Sequence, residues 1–175
     1  MPPMAGSAKG QRMNPEFKKV DRVTLLVTTF LGSGMLPIMP GTYGSLLAAA
    51  VAYPLALVLP FNLFSLLSLL VFFAAIPFVN KAMAQSKTKD PGWIVIDEVS
   101  GQWLAFAFLP LDILIKHPWL LFIGFALFRF FDILKPLGIR RLEKLPGAWG
   151  VMTDDLLGGF YAAIVLSIGT YTTLM

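Results

Sequence analysis

The chain has 175 residues, of which 57% are hydrophobic and only 14% charged, with a mean hydropathy of +0.73. Soluble domains carry about 25% charged residues, so the composition points to an integral membrane protein of one compact domain. It has no cysteine, which excludes disulfides, thiolate metal sites and a cysteine nucleophile, and its single histidine, His117, excludes any mechanism that needs two. The net charge of +4 is explained by membrane topology rather than by nucleic-acid binding.

In chain order, residues 1–22 form a basic tail. Lys18, Lys19 and Arg22 precede "VTLLVTTFLGSG", which resembles a secretory signal, but no Ala-x-Ala-like site follows. The segment is therefore expected to be retained. Residues 23–39 are apolar but broken by "GSG" and Pro37. Irregular backbone at membrane depth needs protein or a polar cavity around it, so an interfacial or re-entrant helix ending in a loop is expected. Five stretches then approach the roughly 20 apolar residues that a spanning helix needs: 43–60, 62–79, 99–115, 119–134 and 156–174. The short links "LPFN" and "KHP" imply antiparallel hairpins. The expected fold is an all-α polytopic bundle, residues 23–175 forming one membrane-embedded domain without repeats.

Loop charges support this topology. With the N-terminus in the cytoplasm and five crossings, Lys9, Arg12, Lys18, Lys19, Arg22, Lys81, Lys87, Lys89, Lys135, Arg140, Arg141 and Lys144 lie inside, and only Lys116 lies outside. A sixth crossing by 23–39 would weaken that asymmetry. The tryptophans Trp93, Trp103, Trp119 and Trp149 fall near span ends, as interfacial anchors do. His117, beside Pro118, reads as a surface residue of a short outer loop.

The same topology gathers three polar stretches on the cytoplasmic side: "PGTYGS" (40–45), "DPGWIVIDEVSGQW" (90–103) and "FRFFDILKPLGIRRLEKLPGAWGVMTDD" (128–155). Each acid has a structural explanation. Thr153 can cap the last helix, with Asp154 and Asp155 in its first turn, and Asp97 and Glu98 can begin the third span. Asp132 is harder to explain so, because an acid near a helix C-terminus opposes the dipole. Arg129 and Lys135 flank it at helical spacing, and ionisable groups at membrane depth are functional candidates.

Five carboxylates beside cations suit a hard metal and a phosphate. Mg²⁺ takes oxygen ligands and is often held by one or two carboxylates plus substrate phosphate. Asp97, Glu98, Asp154 and Asp155 are the candidate metal ligands, and Asp97, Glu98, Asp132, Asp154 and Asp155 the candidate catalytic set. Lys135, Arg129 and Arg140 are candidates for holding phosphate, arginine by bidentate contact. Gly41, Thr42, Gly44 and Ser45 add backbone and hydroxyl donors at a helix start. There is no "GK[ST]" of a Walker loop, and "GSG" is no dinucleotide fingerprint. The motifs of histidine and aspartyl-phosphate phosphatases and of CDP-alcohol phosphotransferases are also missing. Attack by a metal-activated water on phosphorus is the preferred route.

The motifs "GSGMLPIMPGTYGS", "IVIDEVSGQW", "FRFFDILKPLGIR" and "GVMTDDLLGG", in this order, resemble the phosphatidylglycerophosphatase A family of bacterial membrane phosphatases. The resemblance runs from about Phe30 onward. It implies Mg²⁺ dependence, an all-helical fold, an inner-membrane location, no organic cofactor and a core of Asp97, Glu98, Asp132, Lys135, Asp154 and Asp155. Ala148 departs from the pattern, standing where the family often has a second glycine. The expected activity is Mg²⁺-dependent dephosphorylation of phosphatidylglycerophosphate at the cytoplasmic leaflet, with no obligate protein partner. A cation transporter or channel with a carboxylate-lined site is the competing class, although transporter sites usually lie near the bilayer midplane.

Overall fold

The computed structural model describes residues 17–174; Lys9 and Arg12 of the expected basic tail lie outside the described residues. Among those described there are eight α-helices and no strand: α1 (Arg22–Thr28), α2 (Pro40–Val58), α3 (Phe61–Ser86), α4 (Ile96–Leu104), α5 (Leu111–Lys116), α6 (Leu120–Leu134), α7 (Ile139–Leu142) and α8 (Ala148–Leu174). The all-α expectation holds.

Among the described residues, three helices are long and apolar enough to cross a membrane: Pro40–Val58, Leu63–Ser86 and Ala148–Leu174. The expected count of five is not reproduced. The third expected span, 99–115, is two short helices joined by turns in which Phe106, Ala107 and Leu109 donate to Trp103, Leu104 and Phe106 respectively. Pro110 closes this stretch and begins α5. Hydropathy took these residues for lipid-facing, yet Val99, Ala105, Phe106, Leu109 and Leu114 are fully buried. They are apolar because they form the core of the bundle. Helix α6 has 15 residues, about 22 Å at ~1.5 Å per residue, short of the ~30 Å of bilayer hydrocarbon.

The segment 23–39 is not a spanning helix. Asp21 caps α1 by accepting from the Thr24 N–H, and the helix lasts seven residues. Beyond it, Phe30 and Leu31 take left-handed backbone angles and a 3-10 turn spans Ser33–Met35. Helix α1 buries Thr24 and Thr28 and exposes Val23 and Leu26, an inverted pattern suited to an apolar surrounding. The Thr28 carbonyl accepts from Val95 N–H at 2.8 Å, which ties α1 to the approach to α4.

Helix α4 is the hub, packed against α2, α3, α6 and α8. Its contact with α8 is backbone on backbone. A Cβ on Gly159 would collide with the Gly101 carbonyl, and one on Gly101 would stand 2.5 Å from the Asp155 carbonyl oxygen. Small residues permit such close helix approach in a membrane bundle. Two of the four tryptophans belong to this interior rather than to an interface. Trp93 and Trp103 are buried, and Trp103 Nε1 donates to the Ala48 carbonyl at 2.9 Å. Trp119 and Trp149 are exposed, as anchors would be.

Candidate active site

The glycine contact determines what faces what. One turn before Gly101 on α4 lies Asp97, and one turn before Gly159 on α8 lies Asp155. The two carboxylates therefore meet across the same interface. Ligand oxygens of Asp97, Glu98 and Asp155 lie within 4.8 Å of one another. Asp97 and Glu98 occupy the first turn of α4, as expected.

Asp154 and Asp155 are not in a first turn. Helix α8 begins at Ala148, whose N–H donates to Asn80 Oδ1 at 2.9 Å. Gly147, at φ +60°, makes the turn that precedes it. Thr153 is accordingly not a cap; its hydroxyl bonds back to the Trp149 carbonyl. The two aspartates stand in the second turn of α8, at 5% and 4% exposure, where the helix dipole gives less help than in the first turn.

Lys135 ends α6 in a left-handed conformation (φ +47°), which turns the chain back toward α8. Such angles are uncommon outside glycine and cluster at functional sites. Its Nζ donates to Asp154 Oδ2 and to Glu143 Oε1, both at 2.6 Å. Burial alone would lower its pKa, but the bonds to Asp154 and Glu143 outweigh that and hold the ammonium above its usual range. Arg129 and Asp132, one turn apart on α6, pair at 2.5 Å.

Among the described residues no cation forms an ion pair with the cluster of three, although Arg129 stands near Glu98. Burial, then the neighbouring Glu98 and Asp154, raises the Asp97 carboxyl well above the usual carboxylate range. Burial likewise pushes Glu98 up to about 8; the Asp155 and Asp132 charges add to this against a hydrogen bond to Asp97 and the Arg129 charge. Glu98 Oε2 is buried without a hydrogen-bond partner. Closely spaced, desolvated carboxylate oxygens are a donor set for a hard divalent cation such as Mg²⁺. The residues present fit that ion.

These groups open onto a cavity of about 840 Å³ lined by Asp97, Glu98, Asp132, Lys135, Asp154 and Asp155, with Lys89 and Lys144 also on its wall. The expected phosphate-holding residues divide. Lys135 lines the cavity, and Arg129 stands behind it through Asp132. Arg140 is exposed and donates to the Leu134 carbonyl at 3.5 Å. "PGTYGS" is not a loop but the first turns of α2. A Cβ on Gly41 would strike Glu98 Oε1 and sit 3.4 Å from an Arg129 nitrogen, while Gly44 packs on the Val95 side chain. Thr42 N–H donates to the Met39 carbonyl. Ser45 Oγ donates to the Gly41 carbonyl at 2.8 Å and accepts from Arg129 at 3.5 Å. This stretch thus supports Glu98 and Arg129.

Sequence reasoning missed Glu143 and Asn80. Glu143 lies eight residues beyond Lys135 across a turn, a spacing that no helical repeat singles out. Asn80 caps α8 from another helix, and only the fold brings the two together.

A family model described as phosphatidylglycerophosphatase A matches residues 26–170. A protein of Haemophilus influenzae named phosphatidylglycerophosphatase A is 38% identical over 157 residues, covering 87% of this chain and 93% of that one. An Escherichia coli protein of the same name is 34% identical over 142 residues, 81% of this chain and 80% of that one. A Bacteroides thetaiotaomicron protein, provisionally named a phosphatidylinositol-3-phosphatase, is 37% identical over 158 residues, 88% of this chain and 98% of that one. No solved structure gives a significant match.

Proposed function

Because the chain belongs to the phosphatidylglycerophosphatase A family, we propose that it hydrolyses phosphatidylglycerophosphate to phosphatidylglycerol and phosphate in the cell membrane. The observation that carries this reading is the meeting of Asp97, Glu98 and Asp155 beside Lys135 in one open cavity. Asp97, Glu98 and Asp155 would hold Mg²⁺. When bound, that ion neutralises phosphoryl charge and acidifies water. Asp154 belongs to the same acidic set, but its partner is Lys135. It keeps the ammonium aimed at the cavity, where it can meet a phosphate oxygen.

Asp132, on the cavity wall, pairs with Arg129 behind it. A water oxygen forms the new bond to phosphorus and the bond to the glycerol oxygen breaks. The proton that the water gives up is the one the leaving glycerol alkoxide takes up, so the step balances with phosphate and the free hydroxyl as products. The acyl chains stay in lipid beside α2, α3 and α8, whose outward faces are apolar. The start of α2, the start of α4, the end of α6 and the second turn of α8 converge whatever the number of crossings. Lys87, Lys89, Lys135, Arg140, Arg141 and Lys144 lie close in sequence to that end, which supports the cytoplasmic side of the inner membrane.

A second reading of the head group rests on the Bacteroides thetaiotaomicron relative: a phosphoinositide in place of phosphatidylglycerophosphate. Phosphate release from the two lipids, offered in mixed micelles to the purified protein with Mg²⁺ or with EDTA, separates the readings. Turnover of phosphatidylglycerophosphate that stops on chelation is expected. Undiminished turnover after complete chelation removes Mg²⁺ from the mechanism. Preference for the inositol lipid selects the second head group.

A further inference from the structure

Gln102 lies in the motif "IVIDEVSGQW" but has no part in the site as described so far. Its side chain is fully buried, and neither Nε2 nor Oε1 has a hydrogen-bond partner. Buried polar groups are normally paired, and an amide left unpaired destabilises the fold. Two further side chains carry orphaned atoms, Glu98 Oε2 and Arg129 Nε, and Phe128, next to Arg129 in the chain, packs against Gly101, next to Gln102. Glu98 is one turn before Gln102 on α4, so the two share a side of the helix. Glu98 and Arg129 both lie against Gly41 at the start of α2.

The orphaned atoms are complementary. Gln102 Nε2 and Arg129 Nε are donors, and Gln102 Oε1 and Glu98 Oε2 are acceptors. We infer that Gln102 is a positioning residue: in the loaded site its amide donates to Glu98 Oε2 and accepts from Arg129 Nε–H, linking the carboxylate to the guanidinium. Arg129 is held at its other end by Asp132 at 2.5 Å and by Ser45 at 3.5 Å. The link thus runs from Asp132 through Arg129 and Gln102 to Glu98. Only a neutral group with both a donor and an acceptor serves here. A carboxylate would repel Glu98, a cation would repel Arg129, and an alkyl chain would leave both orphaned. The inference rests on the phosphatase reading, since it is the cation that draws Glu98 into the geometry the amide would hold.

The test uses the full-length protein purified in detergent, with Gln102→Met, which keeps the length of the side chain and removes its polar atoms. Without Mg²⁺, the Tm of the variant is expected at or above that of the wild type. With Mg²⁺ and phosphatidylglycerophosphate, kcat is expected to fall about tenfold or more, with KM within about twofold, the scale of lost outer-shell contacts. Arg129→Lys combined with Gln102→Met is expected to lose no more than Arg129→Lys alone, because the amide acts through Arg129. Wild-type kcat in Gln102→Met, or losses that multiply in the double variant, overturns the inference. So does a lowered Tm or a failure to fold, either of which would mean that the amide is already paired at rest. A wild-type control without turnover instead sinks the phosphatase reading, and this inference with it.

Discussion

The acids at the start of α1 and at the start of α4 are built in opposite ways. Asp21 caps α1, pairs with Lys81 at 2.9 Å, and its N–H donates to Gln85 Oε1 at 3.1 Å. The Lys81 contact, then the Thr24 N–H, holds its carboxyl below the usual range. Asp97 and Glu98 also sit in a first turn, but with Asp155 they are buried beside one another and their pKa values are raised. The first arrangement fastens α1 to α3. The second crowds buried carboxylates together, an arrangement that protonation or a bound cation would relieve. Position at a helix start does not separate a structural acid from a chemical one. Burial and the count of partner cations do.

Neutralising one acid of each kind gives the largest contrast. Asp155→Asn is expected to lower phosphate release by about 100-fold or more, as removal of a group acting in the transition state does. The Tm of its chelator-treated form should stay level or rise, because a like charge has left the cluster. Wild-type turnover in this variant would remove Asp155 from the site.

The two groups also respond to pH with opposite sign. The Glu98 pKa of about 8 in the folded chain lies above the ordinary glutamate value of about 4.3. The folded state thus holds a proton that the unfolded state has released. This contribution to stability is complete below the unfolded value and is lost as pH rises toward about 8. Asp21 contributes fully above the ordinary aspartate value of about 3.9 and loses its contribution only as pH falls below it. In chelator-treated protein, Tm is therefore expected to decline between roughly pH 5 and pH 8, and saturating Mg²⁺ should flatten the decline. A Tm that rises across that window would contradict the burial of these carboxylates.

The smallest effect belongs to Asp21→Asn. Asparagine still caps a helix, and exposed ion pairs contribute little. Turnover should stay within about twofold of wild type and Tm should drop only slightly. A large loss of activity would show that α1 is coupled to the cavity.

Much of the site was legible in the sequence because its parts are short-range. Asp132 lies three residues from both Arg129 and Lys135, and the acidic pairs are adjacent in the chain, so helical spacing and loop charge were enough to gather them. Residues 99–115 and the start of α8 were not legible in the same way. Hydropathy registers burial without saying whether lipid or protein does the burying, so the core residues Phe106 and Leu109 passed for part of a span. Thr153 passed for the cap because the helix in fact begins at Ala148 and is capped from outside by Asn80, 68 positions away. The pairing of Lys135 with both Asp154 and Glu143 likewise needs α6, α7 and α8 in place. Sequence reasoning could name the carboxylates but not divide them into those free to hold a cation and the one already matched by Lys135.

The contact between Gly101 and Gly159 carries a last consequence. The carboxylates sit on a gauge made of main chain, its setting fixed by two peptide backbones. The apolar side chains that α2, α3 and α8 turn outward take no part in that contact. One methyl group at either glycine would change the gauge itself. The molecule therefore separates adaptation to its solvent from the calibration of its chemistry.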